Sequence, residues 1–337
     1  MRVGVVGASG YAGSEVVRLC GSHPDLEVVL ATGESSAGVA LGAHVPALAA
    51  RYPDLVLAPT EAVLEAELDL VFLALPHGKS QGIVARLVER GVPVVDLGAD
   101  FRLRDPAQYA AWYGEAHRAP ELLARAVYGL VERHREELAG ATLVAAPGCY
   151  PTATALALGP FLDAGVVERE GIVIDALSGA SGAGRATSER LHFSRLSGNA
   201  EAYGLVGHRH TPEMEAELGA RLLFTPHLVP VARGMLVTAY ARLAEPLTSA
   251  AARALLEARY AADPCVVVTE APPTLKDPVG SNLCFVSAVV DERTGWLVAL
   301  SSIDNLIKGA AGQALQAWNV ASGRPETLGL PLTGVTP

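Results

Sequence analysis

The chain contains few cysteines, and they form neither a metal-binding nor a disulfide pattern. Its 337 residues include four cysteines, Cys20, Cys149, Cys265 and Cys284, and no two of them are spaced as C-x-x-C. This usage argues against a zinc site and against a disulfide framework, and we expect no metal centre. A cysteine with neither role usually behaves as a small buried apolar residue, so a chemical role needs a local reason.

Long apolar runs and an excess of positive charge are also missing. No apolar stretch approaches the ~18 residues that a membrane-spanning helix needs. Lysine and arginine number 26 against 36 aspartates and glutamates, and the net charge of -10 with no basic block argues against a nucleic-acid surface. The first residues resemble a strand rather than a signal peptide. We expect a cytoplasmic protein with a small-molecule partner and with neither nucleic acid nor membrane as a partner.

What the chain does contain begins with a βαβ pattern. A strand over Arg2–Val6, a helix over Ser14–Cys20 and a strand over Leu26–Ala31 enclose a G-x-x-G-x-x-G loop. Such a loop makes a tight turn and lets a pyrophosphate approach the backbone at a helix N-terminus. The loop predicts a dinucleotide site made of Gly7, Ser9, Gly10, Tyr11, Ala12 and Gly13.

The end of the second strand bears on the choice of cofactor. An NAD enzyme usually has an acidic residue there to bind the ribose hydroxyls, whereas this strand ends at Thr32. The hydroxyls of Thr32, Ser35 and Ser36 suit a 2′-phosphate, so we expect NADP. Glu34 lies close enough to keep NAD as an alternative.

Two further strand ends belong to the same predicted sheet. They carry Leu75-Pro76-His77-Gly78 and Gly98-Ala99-Asp100-Phe101-Arg102, and ligands bind beyond the carboxyl ends of such strands. We expect Leu75 and Pro76 to contact the cofactor. Arg102 is a candidate for binding a phosphate or carboxylate, although it can also be a solvated surface arginine. Residues 105–140 are predicted to be irregular to helical, with no assigned chemistry.

One cysteine does have a local reason for a chemical role. A strand-like run, Ala141 to Ala146, stops at Pro147-Gly148, and a helical pattern runs from Thr152 to Leu162. Pro151 suits the first helical position, so Cys149 is predicted just ahead of a helix N-terminus. The unpaired N–H groups and the helix dipole favour the thiolate there and can stabilise an oxyanion. Cys149 is therefore the candidate nucleophile.

The second half of the chain supplies a histidine pair. In Gly207-His208-Arg209-His210-Thr211-Pro212-Glu213 the two histidines share one face if the segment is extended. A His-x-His pair can bind a metal, but no third ligand stands at a suitable spacing. A catalytic base is the better interpretation, and spacing does not choose between His208 and His210.

The remaining patterns complete the fold prediction. The strand Gly171–Leu177 leads into a small-residue loop that ends at Arg185 and lets a ligand lie close to the backbone. Further strands are predicted at Leu222–Pro230, Met235–Ala244, Cys265–Thr269, Leu283–Asp291 and Trp296–Ser302, with a helix at 249–260. A last amphipathic helix runs to about Ala321 and is expected to place Asn305 near the cofactor.

These patterns predict an α/β protein. We expect an N-terminal Rossmann-type parallel sheet in an NADP-binding domain over 1–148. A second, α+β domain over 149–303, with a mostly antiparallel sheet, is expected to carry the catalytic site and the oligomer contacts. The C-terminal helix, within 304–337, is expected to return to the first domain.

A dinucleotide loop, an activated cysteine, a histidine and an anion-binding arginine suit one reaction class. The thiolate attacks an acyl phosphate and expels phosphate, and a hydride reduces the resulting thioester to an aldehyde. The histidine donates and removes the protons that these steps require.

The motifs, in their order and spacing, resemble the N-acetyl-gamma-glutamyl-phosphate reductases of arginine biosynthesis along nearly the whole chain. Those that carry the resemblance are the glycine loop 7–13, 75–78, 98–102, Pro147-Gly148-Cys149-Tyr150-Pro151-Thr152, 178–185, 208–213 and Ile303-Asp304-Asn305-Leu306-Ile307-Lys308-Gly309. The resemblance implies Cys149 as nucleophile, His210 ahead of His208 as acid and base, NADP, and a tetrameric homo-oligomer with a semialdehyde-dehydrogenase-type second domain. With it we assign Ser178, Gly179, Gly182 and Asn305 to the cofactor and Arg102, Arg185, Arg209 and Glu213 to the substrate.

Three alternatives stay open at this point. Aminoadipate-phosphate reductases of carrier-protein lysine biosynthesis share most of the motifs. Aspartate-semialdehyde dehydrogenases share the architecture but usually carry Asn before the cysteine, where this chain has Gly148. A non-catalytic NADP-sensing regulator is the alternative of a different class, and it would have little use for an activated cysteine with a histidine partner.

Overall fold

The structure, a computed structural model, describes residues 1–335. The chain forms two compact units. Unit 1 consists of Met1–Pro147 and Ala310–Leu330, and unit 2 of Gly148–Gly309 with the residues from Pro331 onward. None of the helices in the described residues is long and apolar enough to cross a membrane.

Unit 1 is built on a six-stranded parallel sheet. The strands are β1 (Arg2–Val6), β2 (Glu27–Ala31), β3 (Leu70–Leu73), β4 (Val94–Asp96), β5 (Val127–Tyr128) and β6 (Leu143–Ala145). Their order is β2-β1-β3-β4-β6-β5, and every neighbouring pair is parallel. The chain reverses direction across the sheet at β1, which is where ligands bind in such folds. Continuous apolar runs such as Leu70–Leu73 form these strands because both sheet faces are buried.

Six helices complete unit 1. They are α1 (Tyr11–Ser22), α2 (Leu41–His44), α3 (Gln81–Glu89), α4 (Pro106–Tyr113), α5 (Val131–Leu138) and, from the end of the chain, α10 (Gly312–Ala321). The last helix packs against α1 and α5, and its Gln313 side chain donates to the Gly129 carbonyl at 2.8 Å. The C-terminal helix therefore returns to the first sheet, as predicted.

Unit 2 is built on a mixed seven-stranded sheet. Its strands are β7 (Ile172–Gly179), β8 (Glu201–Ala202), β9 (Leu222–Val229), β10 (Met235–Arg242), β11 (Val266–Val268), β12 (Cys284–Asp291) and β13 (Trp296–Ile303). The order is β11-β12-β13-β10-β7-β9-β8, with parallel pairs only at β11–β12 and β7–β9. Its helices are α6 (Cys149–Asp163), α7 (Phe193–Leu196), α8 (Thr211–Leu218) and α9 (Ser249–Tyr260). The predicted fold class is confirmed.

Helix α6 lies against this sheet and is buried along nearly its whole length, from Tyr150 to Leu162. Its residues are apolar all round, which is why the sequence shows no polar face. The prediction that the helix starts near Thr152 is wrong, because the helix begins at Cys149 and Gly148 is its N-cap. Pro151 is accommodated in the first turn, where an N–H has no intrahelical partner.

Candidate active site

The glycine loop follows β1 and leads directly into α1. Gly7 has a φ of +82°, and a Cβ on it would lie 2.5 Å from the Ala74 carbonyl oxygen. A Cβ on Gly13 would lie 2.2 Å from the Gly7 carbonyl oxygen. Gly7 is therefore required for the loop to pack against the turn after β3, and Gly13 for α1 to pack against the loop. Gly10 caps α1 with no side-chain hydrogen bond, which suits the first helical turn to bind phosphate oxygens.

The end of β2 lies against this loop. Thr32 is fully buried, and its hydroxyl accepts a hydrogen bond from the Gly7 N–H at 3.2 Å. Gly33 passes so close to the loop that a Cβ on it would lie 2.8 Å from the Ser9 Cβ. Thr32 thus stabilises the start of the glycine loop through this hydrogen bond.

The short 3₁₀ turn Glu34–Ser36 carries the other residues expected to choose the cofactor. Ser35 is exposed and Ser36 is half-buried. The Glu34 carboxylate accepts a hydrogen bond from the Thr60 N–H at 3.3 Å, and its contacts with the Thr60 side chain and backbone lower the pKa of Glu34. This carboxylate is therefore already engaged within the protein.

The turns after β3 and β4 stand at the carboxyl edge of the sheet. Leu75 is half-buried there and Pro76 is exposed. Arg102 donates from Nε to the Ala146 carbonyl at 2.9 Å and from Nη2 to the Leu97 carbonyl at 2.7 Å. The guanidinium reaches the strand ends, as the sequence predicts, and ties the turn after β4 to the end of β6.

In unit 2, Cys149 occupies the first position of α6 and is half-buried. The Gly148 carbonyl accepts hydrogen bonds from the N–H and the hydroxyl of Thr152, each at 3.0 Å. The Gly148 N–H in turn donates to the Glu213 carboxylate at 2.8 Å. This places the candidate nucleophile at the positive end of a buried helix, where the dipole favours a thiolate.

A glycine from far along the chain, Gly309, packs against Cys149. A Cβ on Gly309 would lie 2.7 Å from the Cys149 Cβ. Gly309 belongs to the π-helical turn Ile307–Ala311, and its N–H donates to the Asp304 carbonyl, five residues back, at 2.9 Å. Such turns are rare in proteins, and those that occur are often found at functional sites. The turn lets backbone pass directly beside the cysteine.

The segment with the two histidines is a series of turns that ends at α8, so the assumption of an extended segment is wrong. His210 is the N-cap of α8, and its N–H donates to His208 Nδ1 at 3.1 Å. Burial, with a smaller effect from the charge of Arg209, lowers the pKa of His208 to about 4. With Nδ1 accepting a hydrogen bond, His208 is a neutral imidazole that carries its proton on Nε2.

Both histidines lie near the start of α6, around the ring of Tyr150, the residue after Cys149. The Tyr150 ring centre lies 5.5 Å from that of His208 and 5.8 Å from that of His210. The Tyr150 hydroxyl lies 2.8 Å from the Tyr203 hydroxyl. Unit 2 therefore gathers the cysteine, both histidines and two phenols.

Glu213 lies on the first turn of α8 and is only 2% exposed. Because its carboxylate binds the Gly148 N–H, it fixes the N-cap of the helix that carries Cys149. The sequence analysis expected a substrate contact from this residue. What the structure shows is a hydrogen bond that positions the start of the helix carrying Cys149.

The loop after β7 forms another cluster within unit 2. A Cβ on Gly182 would lie 2.8 Å from Ser178 Oγ, and Asn305 donates to Ser181 Oγ at 2.9 Å. Asn305 also accepts a hydrogen bond from the Gly234 N–H at 2.8 Å. Ser178, Gly182 and Asn305 are thus brought together, and Gly179 ends β7 beside them. Arg185 and Arg209 are exposed.

Sequence reasoning missed three parts of these sites: Gly309 beside Cys149, the Tyr150–Tyr203 pair, and a buried cluster of Asp96, Ser80 and Asp100. Asp100 belongs to a motif that the sequence analysis examined only for Arg102. Its position at a strand end was the available signal. Among residues 1–335, no group of three or more His, Cys, Asp or Glu side chains is arranged to hold a metal ion.

Comparison with known proteins agrees with this geometry. A family model described as "Semialdehyde dehydrogenase, NAD binding domain" matches residues 2–141, and one described as "Semialdehyde dehydrogenase, dimerisation domain" matches residues 149–305. A protein of Symbiobacterium thermophilum named N-acetyl-gamma-glutamyl-phosphate reductase is 48% identical over 98% of this chain and 97% of its own. Proteins of the same name from Brevibacillus brevis and Moorella thermoacetica are 45% and 43% identical over the full length of both chains.

The chain belongs to the N-acetyl-gamma-glutamyl-phosphate reductase family. These reductases are oxidoreductases with a nicotinamide-binding domain, and this protein is such an enzyme.

Among solved structures, the fold of this reductase is similar to that of aspartate semialdehyde dehydrogenase II of Vibrio cholerae. The TM-score is 0.71 at 17% identity, over 95% of this chain and 97% of the other. A probable aspartate-semialdehyde dehydrogenase of Pseudomonas aeruginosa gives a TM-score of 0.69 at 22% identity, over 95% and 98%. At such identities the likeness shows a shared fold.

Proposed function

We propose that the protein reduces N-acetyl-gamma-glutamyl phosphate to N-acetyl-glutamate semialdehyde with NADPH, through a thioester on Cys149, in arginine biosynthesis. The observation that carries the proposal is Cys149 at the first position of a buried helix, with two histidines around the ring of the adjacent Tyr150 and the backbone of Gly309 packed against the cysteine. The full-length relatives that carry this name support it.

The first half of the reaction uses the helix start. The Cys149 thiolate attacks the acyl carbon, the carbon–oxygen bond to phosphate breaks, and inorganic phosphate leaves a thioester on sulfur. The developing oxyanion lies near the N-terminal N–H groups of α6, which suits electrostatic stabilisation. Glu213, by holding the Gly148 N–H, keeps this turn in its reactive shape.

The second half needs a reductant and a proton. The nicotinamide, when bound through the glycine loop and the residues after β2 and β3, supplies the hydride that reduces the thioester. His210 gives the proton to the oxyanion and takes it back as the carbon–sulfur bond breaks and the aldehyde leaves. His208, held neutral and accepting from the His210 N–H, orients its neighbour.

The arginines are assigned to the substrate by the same proposal. Arg102 stands at the carboxyl ends of the strands, where a guanidinium suits the phosphate group. Arg185 and Arg209 are exposed and can bind the carboxylate.

Substrate identity can be tested by comparing two acyl phosphates that differ by one methylene. We expect N-acetyl-gamma-glutamyl phosphate to have a kcat/KM ~10-fold or more above that of the corresponding aminoadipyl phosphate, since a misplaced methylene costs ~1–3 kcal/mol in a fitted pocket. The measurement is cofactor oxidation with each substrate, or the reverse reaction with each semialdehyde and phosphate. A preference for the longer or carrier-linked substrate would contradict the assignment to arginine biosynthesis and indicate lysine biosynthesis instead.

Cofactor choice is a separate prediction. Because Glu34 is engaged with Thr60 and Ser35 and Ser36 stand beside it, NADPH should have the higher kcat/KM. Changing Ser35 to Asp should weaken NADPH through like-charge repulsion with the 2′-phosphate and leave NADH nearly unchanged. Specificity constants that favour NADH in the unmodified enzyme would assign the ribose-binding role to Glu34.

We also propose that the enzyme is a homo-oligomer, a tetramer by its resemblance, assembled through unit 2. The match of residues 149–305 to a dimerisation domain supports this, as do exposed apolar side chains such as Phe193 in that unit. The chain's charge and composition support action in the cytoplasm.

A further inference from the structure

Two carboxylates and one hydroxyl form a closed cluster inside unit 1. Asp96, the last residue of β4, Asp100, in the following turn, and Ser80, which caps α3, are all fully buried. Ser80 Oγ lies 2.9 Å from Asp96 Oδ2 and 2.8 Å from Asp100 Oδ2. Two such short contacts need two protons, and a serine hydroxyl brings one. One of the carboxyl groups must supply the other.

The donors around Asp100 show that it is the ionised member. Its Oδ1 accepts from the Gly78 N–H at 2.7 Å and the Tyr109 hydroxyl at 2.8 Å, and its Oδ2 accepts from the Ser80 N–H at 3.2 Å. Three donors besides the Ser80 hydroxyl stabilise the ionised form of Asp100. The Asp96 carboxyl group accepts from one N–H donor, that of Gly98, at 2.8 Å on Oδ1.

The contacts of Gln81 show which way the hydrogen bond between Tyr109 and Asp100 points. Gln81 Oε1 accepts from the Arg118 N–H at 2.6 Å, so the amide nitrogen of Gln81 faces Tyr109 and donates to its hydroxyl at 2.8 Å. The Tyr109 proton must therefore point to Asp100. The chain of donors leaves Asp96 Oδ2 as the site of the extra proton.

We propose that Asp96 is a neutral carboxylic acid that donates its proton to Ser80, and that this proton couples the turns after β3 and β4 to cofactor binding. Asp96 is a positioning residue: it acts through Ser80 and Asp100 on residues 75–80 and 97–102. These turns stand at the carboxyl edge of the sheet, where cofactors bind in such folds. The second half of the inference rests on the proposed function, and the first half does not.

The surrounding charges agree with a proton on Asp96. Burial, and next the charge of Asp100, raise the pKa of Asp96 to about 7 against an ordinary 3.8, while the Gly98 and Ser80 hydrogen bonds and the charge of Arg102 act in the opposite direction. The other titratable groups that face the cluster are Tyr109, Tyr113, Glu115 and His117. His117 donates from Nε2 to the Asp100 carbonyl at 2.9 Å and accepts from the Ala119 N–H on Nδ1 at 3.1 Å, so it is neutral.

The test uses two isosteric variants of the full-length enzyme. In Asp96→Asn the amide oxygen can accept from Gly98 and the amide nitrogen can donate to Ser80, which reproduces the neutral acid. In Asp100→Asn the amide nitrogen is a donor that faces other donors in either orientation of the amide. It faces the Ser80 N–H in one orientation, and the Gly78 N–H and the Tyr109 hydroxyl in the other. At pH 8, where Asp96 of the wild type has lost its proton, Asp96→Asn should therefore have a thermal midpoint at or above that of the wild type, and Asp100→Asn should lose several degrees.

Three readouts follow the proton. The infrared difference spectrum of wild type minus Asp96→Asn at pH 6 should contain the carbonyl stretch of a protonated acid, and this band should vanish as the pH passes about 7. The pKa of Asp96 is higher in the folded than in the unfolded protein, so the stabilisation that its proton contributes is complete below pH 3.8 and is lost as the pH rises to about 7. Over that pH range the thermal midpoint of the wild type should therefore fall relative to that of Asp96→Asn. The NADPH affinity of the wild type, measured by fluorescence, should weaken ~10-fold between pH 6 and pH 8.5. A difference of about one unit in the pKa of Asp96 between the NADPH-bound and the free enzyme produces a change of this size.

Each failure has its own meaning. A difference spectrum without the acid band, or equal destabilisation by the two variants, would overturn the neutral acid. A band with pH-independent NADPH affinity, or with the same pH dependence in Asp96→Asn, would overturn the coupling. No NADPH binding at any pH, with the band present, would contradict the proposed function and leave the neutral acid standing.

Discussion

Replacing Cys149 with serine should abolish turnover while NADPH binding and the fold survive. A serine hydroxyl has almost no anionic population near neutral pH, and an oxygen ester is a poorer intermediate than a thioester for hydride reduction and for release of the aldehyde. The substitution changes one atom at the start of α6, so the hydrogen bonds of Gly148 to Thr152 and Glu213 should persist. Steady-state reduction with NADPH measures the loss, and fluorescence titration measures the retained affinity.

The other cysteines provide the control. Burial raises the pKa of the Cys20 thiol to about 12, so it stays protonated and unreactive at neutral pH. Cys265 and Cys284 are fully buried. Iodoacetamide should therefore inactivate the enzyme by modifying Cys149 alone, and acyl phosphate should protect it. The variant Cys20→Ala should keep turnover within a few-fold. Substantial turnover by Cys149→Ser would remove covalent catalysis from the mechanism.

The regular elements of unit 1 could be predicted because their signals are local. β1 has the predicted bounds, Arg2–Val6, and the glycine loop follows it into a helix as expected. A buried parallel strand is a short apolar run between turns, and each signal lies within a few residues. β5 was missed because a two-residue strand, Val127–Tyr128, has no period to detect.

The site could be predicted only where one segment carries its chemistry. Cys149 was identified from the turn and the helix around it, although the helix starts earlier than Pro151 suggested. The contacts that position the cysteine come from far along the chain: Glu213 lies 65 residues from Gly148, and Gly309 lies beside Cys149. Periodicity and spacing contain no information about such pairs.

The buried cluster in unit 1 was hidden for a different reason. Asp96 ends a strand and Asp100 sits in a turn, positions where acidic residues are usually solvated. Burial of both depends on α4, which brings Tyr109 over them, and on the loop that carries His117. Only the tertiary arrangement brings the two carboxyl groups to one serine hydroxyl.

Replacing His210 with asparagine should lower kcat by ~100-fold or more, the usual contribution of a general acid and base. The thiohemiacetal oxygen must be protonated and later deprotonated, and an imidazole with an ordinary pKa of ~6.5 can do both near neutral pH. The asparagine keeps the N-cap position of α8, so the helix and Glu213 should stay in place. Single-turnover reduction should show the loss in the chemical step.

His208→Asn is the matched variant because the asparagine oxygen can still accept the His210 N–H. His208 is half-buried and neutral, with a pKa of about 4 and with Nδ1 already accepting, so it has no proton to exchange at neutral pH. We expect this variant to raise KM and leave kcat within a few-fold. The reverse pattern would exchange the two roles. If neither variant slows the chemical step, the proton comes from Tyr150, Tyr203 or water, and the assignment of the acid and base to this histidine pair is wrong.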